Sequence, residues 1–161
     1  GLQVWVTDIE SVPGAIDSMR RMFSDCLQWP LPPWLDNARD IWSHMPALPP
    51  LRTAIPIWRD PWMVVGPRTF TGDLIARLGL VHVFDSGPDR YPSMDLERIA
   101  DARIDLVLLP DEPYEFHAGD GPECFTNGDV ALVPGRLLTW YGPSLVEAHG
   151  ELNRLIRGCL R

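Results

Sequence analysis

The stretch Thr53-Ala-Ile-Pro-Ile-Trp-Arg-Asp-Pro-Trp-Met-Val-Val-Gly66 begins as an apolar run that reads as a strand and then breaks at Arg59-Asp60-Pro61. The break lies between two tryptophans, Trp58 and Trp62. A strand that ends in a proline-containing loop loaded with large aromatics is a common way to line a ligand cleft. A rigid scaffold places such loops, and aromatic faces supply much of the contact area in a small-molecule site. The competing reading is that both tryptophans pack into the core, because tryptophan is highly buried on average.

Downstream of this stretch the pattern alternates strand and helix. Residues 55–58 read as a strand, at the edge of a sheet or with Pro56 at its start. A helix is expected over 74–78, closed by Gly79 as the residue after its end. Short strands are expected at 81–84 and 130–133. Residues 105–109 contain Leu-Val-Leu-Leu, a continuous apolar run typical of a parallel strand buried on both faces. Asp95 is positioned to cap a helix running to about Ala102, and Ser144 to cap the last helix. That last helix carries Leu145, Ala148, Leu152 and Leu155 on one side. Residues 85–92, 110–128 and 137–143 read as loops, the second of them acidic with at most one short helix.

Upstream, residues 2–6 (Leu-Gln-Val-Trp-Val) alternate and read as a strand. Ser11 and Pro13 signal a helix start. From Ala15, the residues Ile16, Met19, Phe23 and Cys26 fall on one helical face, with Met22 and Leu27 beside them. The proline-rich run at 29–33 stops that helix. A second helix is expected over 35–44, with Leu35, Ala38, Ile41 and Trp42 turned inward. Residues 46–50 read as a linker. Strands alternating with helices imply an α/β fold with a parallel sheet between helical layers. Ligands in such sheets bind at the carboxyl ends of the strands. Trp58, Trp62, Tyr91, Tyr114, Trp140 and Tyr141 all fall in loops after strands or between elements, which favours a cleft over a core role.

With 161 residues the chain is long enough to bury one ordinary core. Its net charge of −8 argues against a nucleic-acid backbone as partner. Lysine is absent, so every strong cation is an arginine. Cys26, Cys124 and Cys159 are far apart, without metal-ligand spacing, and their odd number leaves a free thiol. His44, His82, His117 and His149 are scattered, and no protein-built metal site is expected. No run is long and apolar enough to span a membrane, and no signal peptide is visible.

The order of several segments resembles the C-terminal lobe of the helical-backbone ligand receptors, the substrate-binding proteins of ABC importers for cobalamin, haem and iron–siderophore complexes. The segments are residues 55–63, Gly66-Pro-Arg-Thr-Phe-Thr-Gly-Asp-Leu-Ile-Ala-Arg-Leu-Gly79, Val83-Phe84-Asp85, Tyr91-Pro-Ser-Met-Asp-Leu-Glu97, Ile104-Asp-Leu-Val-Leu-Leu109 and Leu138-Thr-Trp-Tyr-Gly-Pro143. The cobalamin-receptor branch is the most similar. Leu80 stands where the family has a second glycine, and Ile104 where proline is common. The resemblance runs from about Leu2 to the C-terminus and rests on order, since no single motif is diagnostic.

The resemblance implies a three-layer αβα lobe of the class III periplasmic-binding-protein type, preceded by a strand and a connecting helix. Residues 1–50 would be a remnant of the first lobe plus the backbone helix region, and 51–161 the C-terminal ligand-binding lobe. It further implies a receptor, or a lobe of one, that binds cobalamin or a related metal chelate without chemistry and without a catalytic cofactor. By the same resemblance Trp58, Tyr91, Trp140 and Tyr141 would face the ligand, and Glu97 would contact the importer's membrane subunit or simply be a solvated helix residue. Arg59 would meet an anionic group of the ligand, or pair with Asp60 or Asp111. Trp62 completes the expected ligand-binding set. The location would be periplasmic or at the cell surface, with a cytoplasmic sensing relative left open. A half-cleft and an unpaired first strand would favour a homodimer.

An enzyme is the other class. Asp60, Asp111, Glu112 and His117 are the residues from which an acidic hydrolase site would be built. The sequence has no GxSxG, P-loop or GxGxxG motif to support it.

Overall fold

The computed structural model describes residues 4–44, 48–84, 87 and 89–160. The expected boundary at 46–50, the loop at 85–92 and the start of the expected first strand fall partly outside them. Among the described residues no helix is long and apolar enough to cross a membrane.

The chain opens with α1 (Val12–Arg21) and α2 (Trp34–Trp42), then enters β1 (Arg52–Ala54). A hairpin of β2 (Pro56–Trp58) and β3 (Met63–Val64) follows, then α3 (Phe70–Arg77) and β4 (Val81–His82). The remainder is α4 (Leu96–Ala100), β5 (Leu106–Pro110), β6 (Asp129–Val133), α5 (Arg136–Thr139) and α6 (Leu145–Cys159). Four strands form a parallel sheet in the order β4-β1-β5-β6. Its register sets Thr53 opposite Leu106 and Leu108 opposite Ala131.

Every residue of β5 is buried, as its unbroken apolar sequence requires. Alternate side chains go to opposite faces. Leu106 and Leu108 join a core with Ala131, Val133 and residues of α1, α2, α3 and α6, while Val107 and Leu109 join a second core with Ala54, Ile99 and the aromatic side chains of Trp62, Phe84, Phe116 and Phe125. The sheet is therefore covered on both sides. The second face is covered by α4, the hairpin and loops rather than by long helices.

The starts of α1 and α3 follow the local signals, whereas the expected caps Asp95 and Ser144 precede α4 and α6 without a side-chain cap hydrogen bond, Ser144 Oγ donating instead to Trp140 O. Ser11 Oγ accepts from Gly14 N at 3.1 Å, and Asp73 Oδ2 accepts from Val12 N at 2.7 Å, so two of the first amides of α1 have partners. Thr69 Oγ1 accepts from Gly72 N at 2.9 Å and caps α3. Gly79, with φ of 98°, takes the left-handed position that ends α3. In α2, Leu35, Ala38 and Trp42 are buried, and Trp42 Nε1 donates to Leu145 O at 2.9 Å, tying the N-terminal helices to α6.

Several expectations need correction. The described part of the expected first strand, Val4 to Val6, pairs with nothing among the described residues, and its valines are exposed. Cys26 is exposed because α1 continues as a wider i→i+5 turn over Met22–Leu27, which rotates it off the apolar face. The strand expected at 55–58 is β2 of the hairpin, and the central-sheet strand β1 lies just before it at Arg52–Ala54. The chain enters the central sheet at Arg52, leaves it at Ile55, and uses Pro56 to start the hairpin. The loop expected at 137–143 begins with the short helix α5, whose Leu137 and Leu138 are buried. On α6 it is Ile156 that is buried, and Leu155 is only partly so.

Candidate ligand-binding site

From β1 the chain moves to β4 on one side of the sheet, then crosses to β5 on the other side of β1. The loops that leave the carboxyl ends of β1 and β5 diverge there, which creates a crevice at the switch point of the sheet. The β2–β3 hairpin follows β1, and the acidic loop 111–128 follows β5.

These two loops interlock through aromatic rings. Trp58 meets Tyr114 edge-on with centroids 5.8 Å apart. Trp62 stacks on Phe116 at 5.9 Å and 7° and meets Phe125 edge-on at 5.5 Å. Arg59 donates to Glu123 at 2.8 Å and pairs with Asp120, and the Tyr114 hydroxyl donates to Asp120 at 2.6 Å. The carboxylates raise the Arg59 pKa above its ordinary range, Glu123 foremost. Arg59 therefore pairs with acids, as one sequence reading had it, but with Asp120 and Glu123 in place of Asp60 or Asp111.

Above this junction lies a cleft of about 580 Å³. It is lined by Trp58 and Met63 of the hairpin, Phe70 at the start of α3, Tyr91 after β4, Pro113 after β5 and Tyr141 after α5. Every strand of the central sheet thus sends its following segment to one hollow. Trp58 is 43% exposed, Tyr91 50% and Tyr141 39%, so the three rings present surface to a ligand. Tyr141 rests edge-on against Phe70 at 5.5 Å.

The other expected site residues are placed differently. Trp62 is only 7% exposed, lies in the core beneath the cleft and is not among its lining side chains. Trp140, 59% exposed, faces a neighbouring apolar hollow of about 460 Å³ beside Met19 and Met22. Glu97 is exposed in the first turn of α4, outside the cleft lining.

Sequence reasoning missed one wall of the cleft. Residues 7–9 run along it, held by Arg90, whose Nη2 donates to Asp8 at 2.9 Å and also to Glu10. These carboxylates raise the Arg90 pKa. Arg90 is adjacent to Tyr91, and that adjacency was the one available signal. The backbone completes this side, where Gly66 N donates to Arg90 O at 2.7 Å and Val64 N to Pro92 O at 3.1 Å.

The residues considered for a hydrolase do not form one site, since Asp111 and Glu112 face α5 while His117 is engaged within its own loop. Asp111 accepts from Gly135 N at 2.6 Å, Glu112 lies 3.4 Å from Thr139 Oγ1, and His117 Nδ1 accepts from Gly119 N at 3.1 Å, while Asp60 is exposed at the hairpin turn. Among the described residues, no group of three His, Cys, Asp or Glu side chains is placed to hold a metal ion.

No family model matches the sequence, and no curated protein matches it. Solved structures do. A periplasmic vitamin B12-binding protein of Vibrio cholerae matches with a TM-score of 0.61 at 10% identity, over 94% of this chain and 64% of that one. A periplasmic heme-binding protein from Roseiflexus sp. RS-1 matches at 0.66 and 17% identity, over 94% and 65%. Helicobacter pylori CeuE with Ni(II) bound matches at 0.68 and 8% identity, over 93% and 54%. The chain spans less than two thirds of the length of each. Over that span it has the α/β fold of the helical-backbone periplasmic binding proteins.

Proposed function

We propose that this chain is a lobe of a solute-binding receptor of an ABC importer, holding cobalamin or a related metal chelate without chemistry. One observation carries the reading: Trp58, Tyr91 and Tyr141, from three separate segments of the chain, remain exposed around one hollow at the carboxyl edge of a parallel sheet. Flat aromatic rings suit the face or edge of a macrocycle through dispersion and apolar burial. The hollow has the size of a small-molecule site. The structural neighbours include periplasmic binding proteins for vitamin B12 and heme and a protein solved with Ni(II) bound, which supports capture rather than catalysis.

In this reading Trp140 extends the contact surface beside Tyr141, and Glu97 on α4 is available to an importer's membrane subunit. The protein would work in the periplasm or at the cell surface. The test is a titration with cyanocobalamin and with haem, followed by tryptophan fluorescence, for the unaltered chain and for Trp58→Ala and Trp140→Ala. Saturable quenching that is lost in Trp58→Ala supports the reading. Quenching by neither ligand, in this chain and in the longest natural form of its gene product, overturns it.

A further inference from the structure

Among the described residues, the charged side chains lining the cleft are Asp8 and Arg90, and they belong to one cluster. Arg90 donates to Asp8 at 2.9 Å and also to Glu10, so one guanidinium faces two carboxylates. Arg59, the cation of the hairpin, is engaged in the same way by Asp120 and Glu123. Arg68 precedes α3 but does not line the cleft.

Three of the hydroxyl groups on the walls are used internally as well. Thr69 Oγ1 donates to Gly66 O at 2.8 Å, Thr71 Oγ1 to Leu138 O at 2.9 Å, and Thr139 Oγ1 to Gly135 O at 2.9 Å. The amino end of α3 faces this side, and a helix start favours anions. Here it already has Thr69 on Gly72 N and the Asp73 carboxylate in its first turn.

What remains toward the cleft is largely apolar: Ile9, Ile57, Met63, Val65 and the rings of Trp58 and Tyr91. The hollow beside Trp140 meets the cleft at Ile9 and Tyr141, and adds the side chains of Met19 and Met22. A ligand carboxylate on this wall would meet Asp8 and Glu10 beside a single cation and would compete with them for Arg90. Breaking charge-assisted hydrogen bonds is costly, and the net charge of −8 opposes the approach of an anion.

We infer that the cleft selects a bulky ring system that presents no carboxylate to the Arg90 side, an inference that rests on the receptor reading above. Amide-decorated or esterified macrocycles satisfy it, and macrocycles bearing free acids do not.

Two matched pairs of probes test this by fluorescence titration. One pair is protoporphyrin IX dimethyl ester and protoporphyrin IX, presented from the same detergent solution. The other is cyanocobalamin and the carboxylic acids formed by partial hydrolysis of its amides. Whichever ring binds, its uncharged member should bind tighter by about tenfold, the scale of one displaced charge contact. The double variant Asp8→Asn/Glu10→Gln, checked for fold by circular dichroism, releases Arg90 and should narrow or reverse that ratio. Equal binding within a pair, tighter binding of the acid, or an unchanged ratio in the variant overturns the inference and leaves the receptor reading standing. No saturable binding of any of the four probes or of haem, in this chain and in the longest natural form of its gene product, removes both.

Discussion

Arg59 Nη1 donates to Glu123 Oε1 at 2.8 Å across 64 residues of sequence, and the same nitrogen pairs with Asp120. The contact fastens the β2–β3 turn to the loop that follows β5, directly behind the Trp58–Tyr114 edge contact. Two carboxylates converge on one cation, so removing the cation leaves them facing each other.

Arg59→Gln should therefore lower the melting temperature and speed amide exchange through residues 111–125. Arg59→Lys should recover only part, because an ammonium replaces the planar fork. Glu123 is held below the usual carboxylate range, by its own backbone N–H first and then by Arg59 and Gly121 N–H, against desolvation. A lowered folded-state pKa stabilises the fold above the ordinary carboxylate value. That contribution disappears as pH falls through the folded value, on the acid side of about 4. Glu123→Gln should blunt this acid-side loss of stability, and an unchanged acid limb in that variant would count against the link.

Trp58 and Trp62 should separate binding from folding. Trp58 is 43% exposed at the cleft, so Trp58→Ala should keep the fold and weaken ligand binding about tenfold or more. Trp62 is 7% exposed between Phe116 and Phe125, so Trp62→Ala should cost about 3–5 kcal/mol of stability. Denaturant titration and ligand titration on both variants check the split. A stable Trp62→Ala protein with selectively weakened binding would contradict it.

The parallel sheet was readable in the chain because its signals are local. The all-apolar 106–109 run marks a strand buried on both faces, and Gly79 marks a helix end. The aromatic loops were readable for the same reason, and Trp58, Tyr91 and Tyr141 do converge. What could not be read depends on distant partners. Trp62 is buried by Phe116 and Phe125, which arrive from another loop. The wall at residues 7–9 is fixed by an arginine about 80 residues away in sequence. The strand β1 was missed beside the expected 55–58 strand because polar Arg52 starts it and apolar residues continue from it to Pro56, the start of β2. One turn of helix at α5 is too short to show periodicity.

The N-terminal helices should fold with the rest of the described chain as one unit. Trp42 is 4% exposed, donates from Nε1 to Leu145 O at 2.9 Å and meets His149 edge-on at 5.2 Å. Trp42→Phe keeps most of the apolar volume but leaves the Leu145 carbonyl without that donor. The expected loss is about 1–3 kcal/mol, seen as one shifted unfolding transition. Two separate transitions in the unaltered protein would show that α1 and α2 unfold apart from the sheet.

His82 should make stability depend on pH near neutrality. It lies on β4, at the edge of the sheet, and its Nδ1 accepts from Phe84 N at 3.2 Å, which requires that nitrogen to be unprotonated. Burial lowers its pKa below the ordinary histidine value. The unfolded chain then binds more protons than the folded one between the folded pKa and about 6.5, so stability rises with pH across that window. On acidification the contribution begins to fall near pH 6.5 and levels off below the folded value. His149, lowered chiefly by burial as well, adds a second term of the same sign. His82→Gln should reduce the slope of melting temperature against pH between 7 and 5, and adding His149→Gln should flatten it further. The histidine loss begins near pH 6.5 on acidification and the Glu123 loss only on the acid side of about 4, so the two onsets separate on one pH series. An undiminished slope in the double variant would show that neither imidazole is held neutral by the fold.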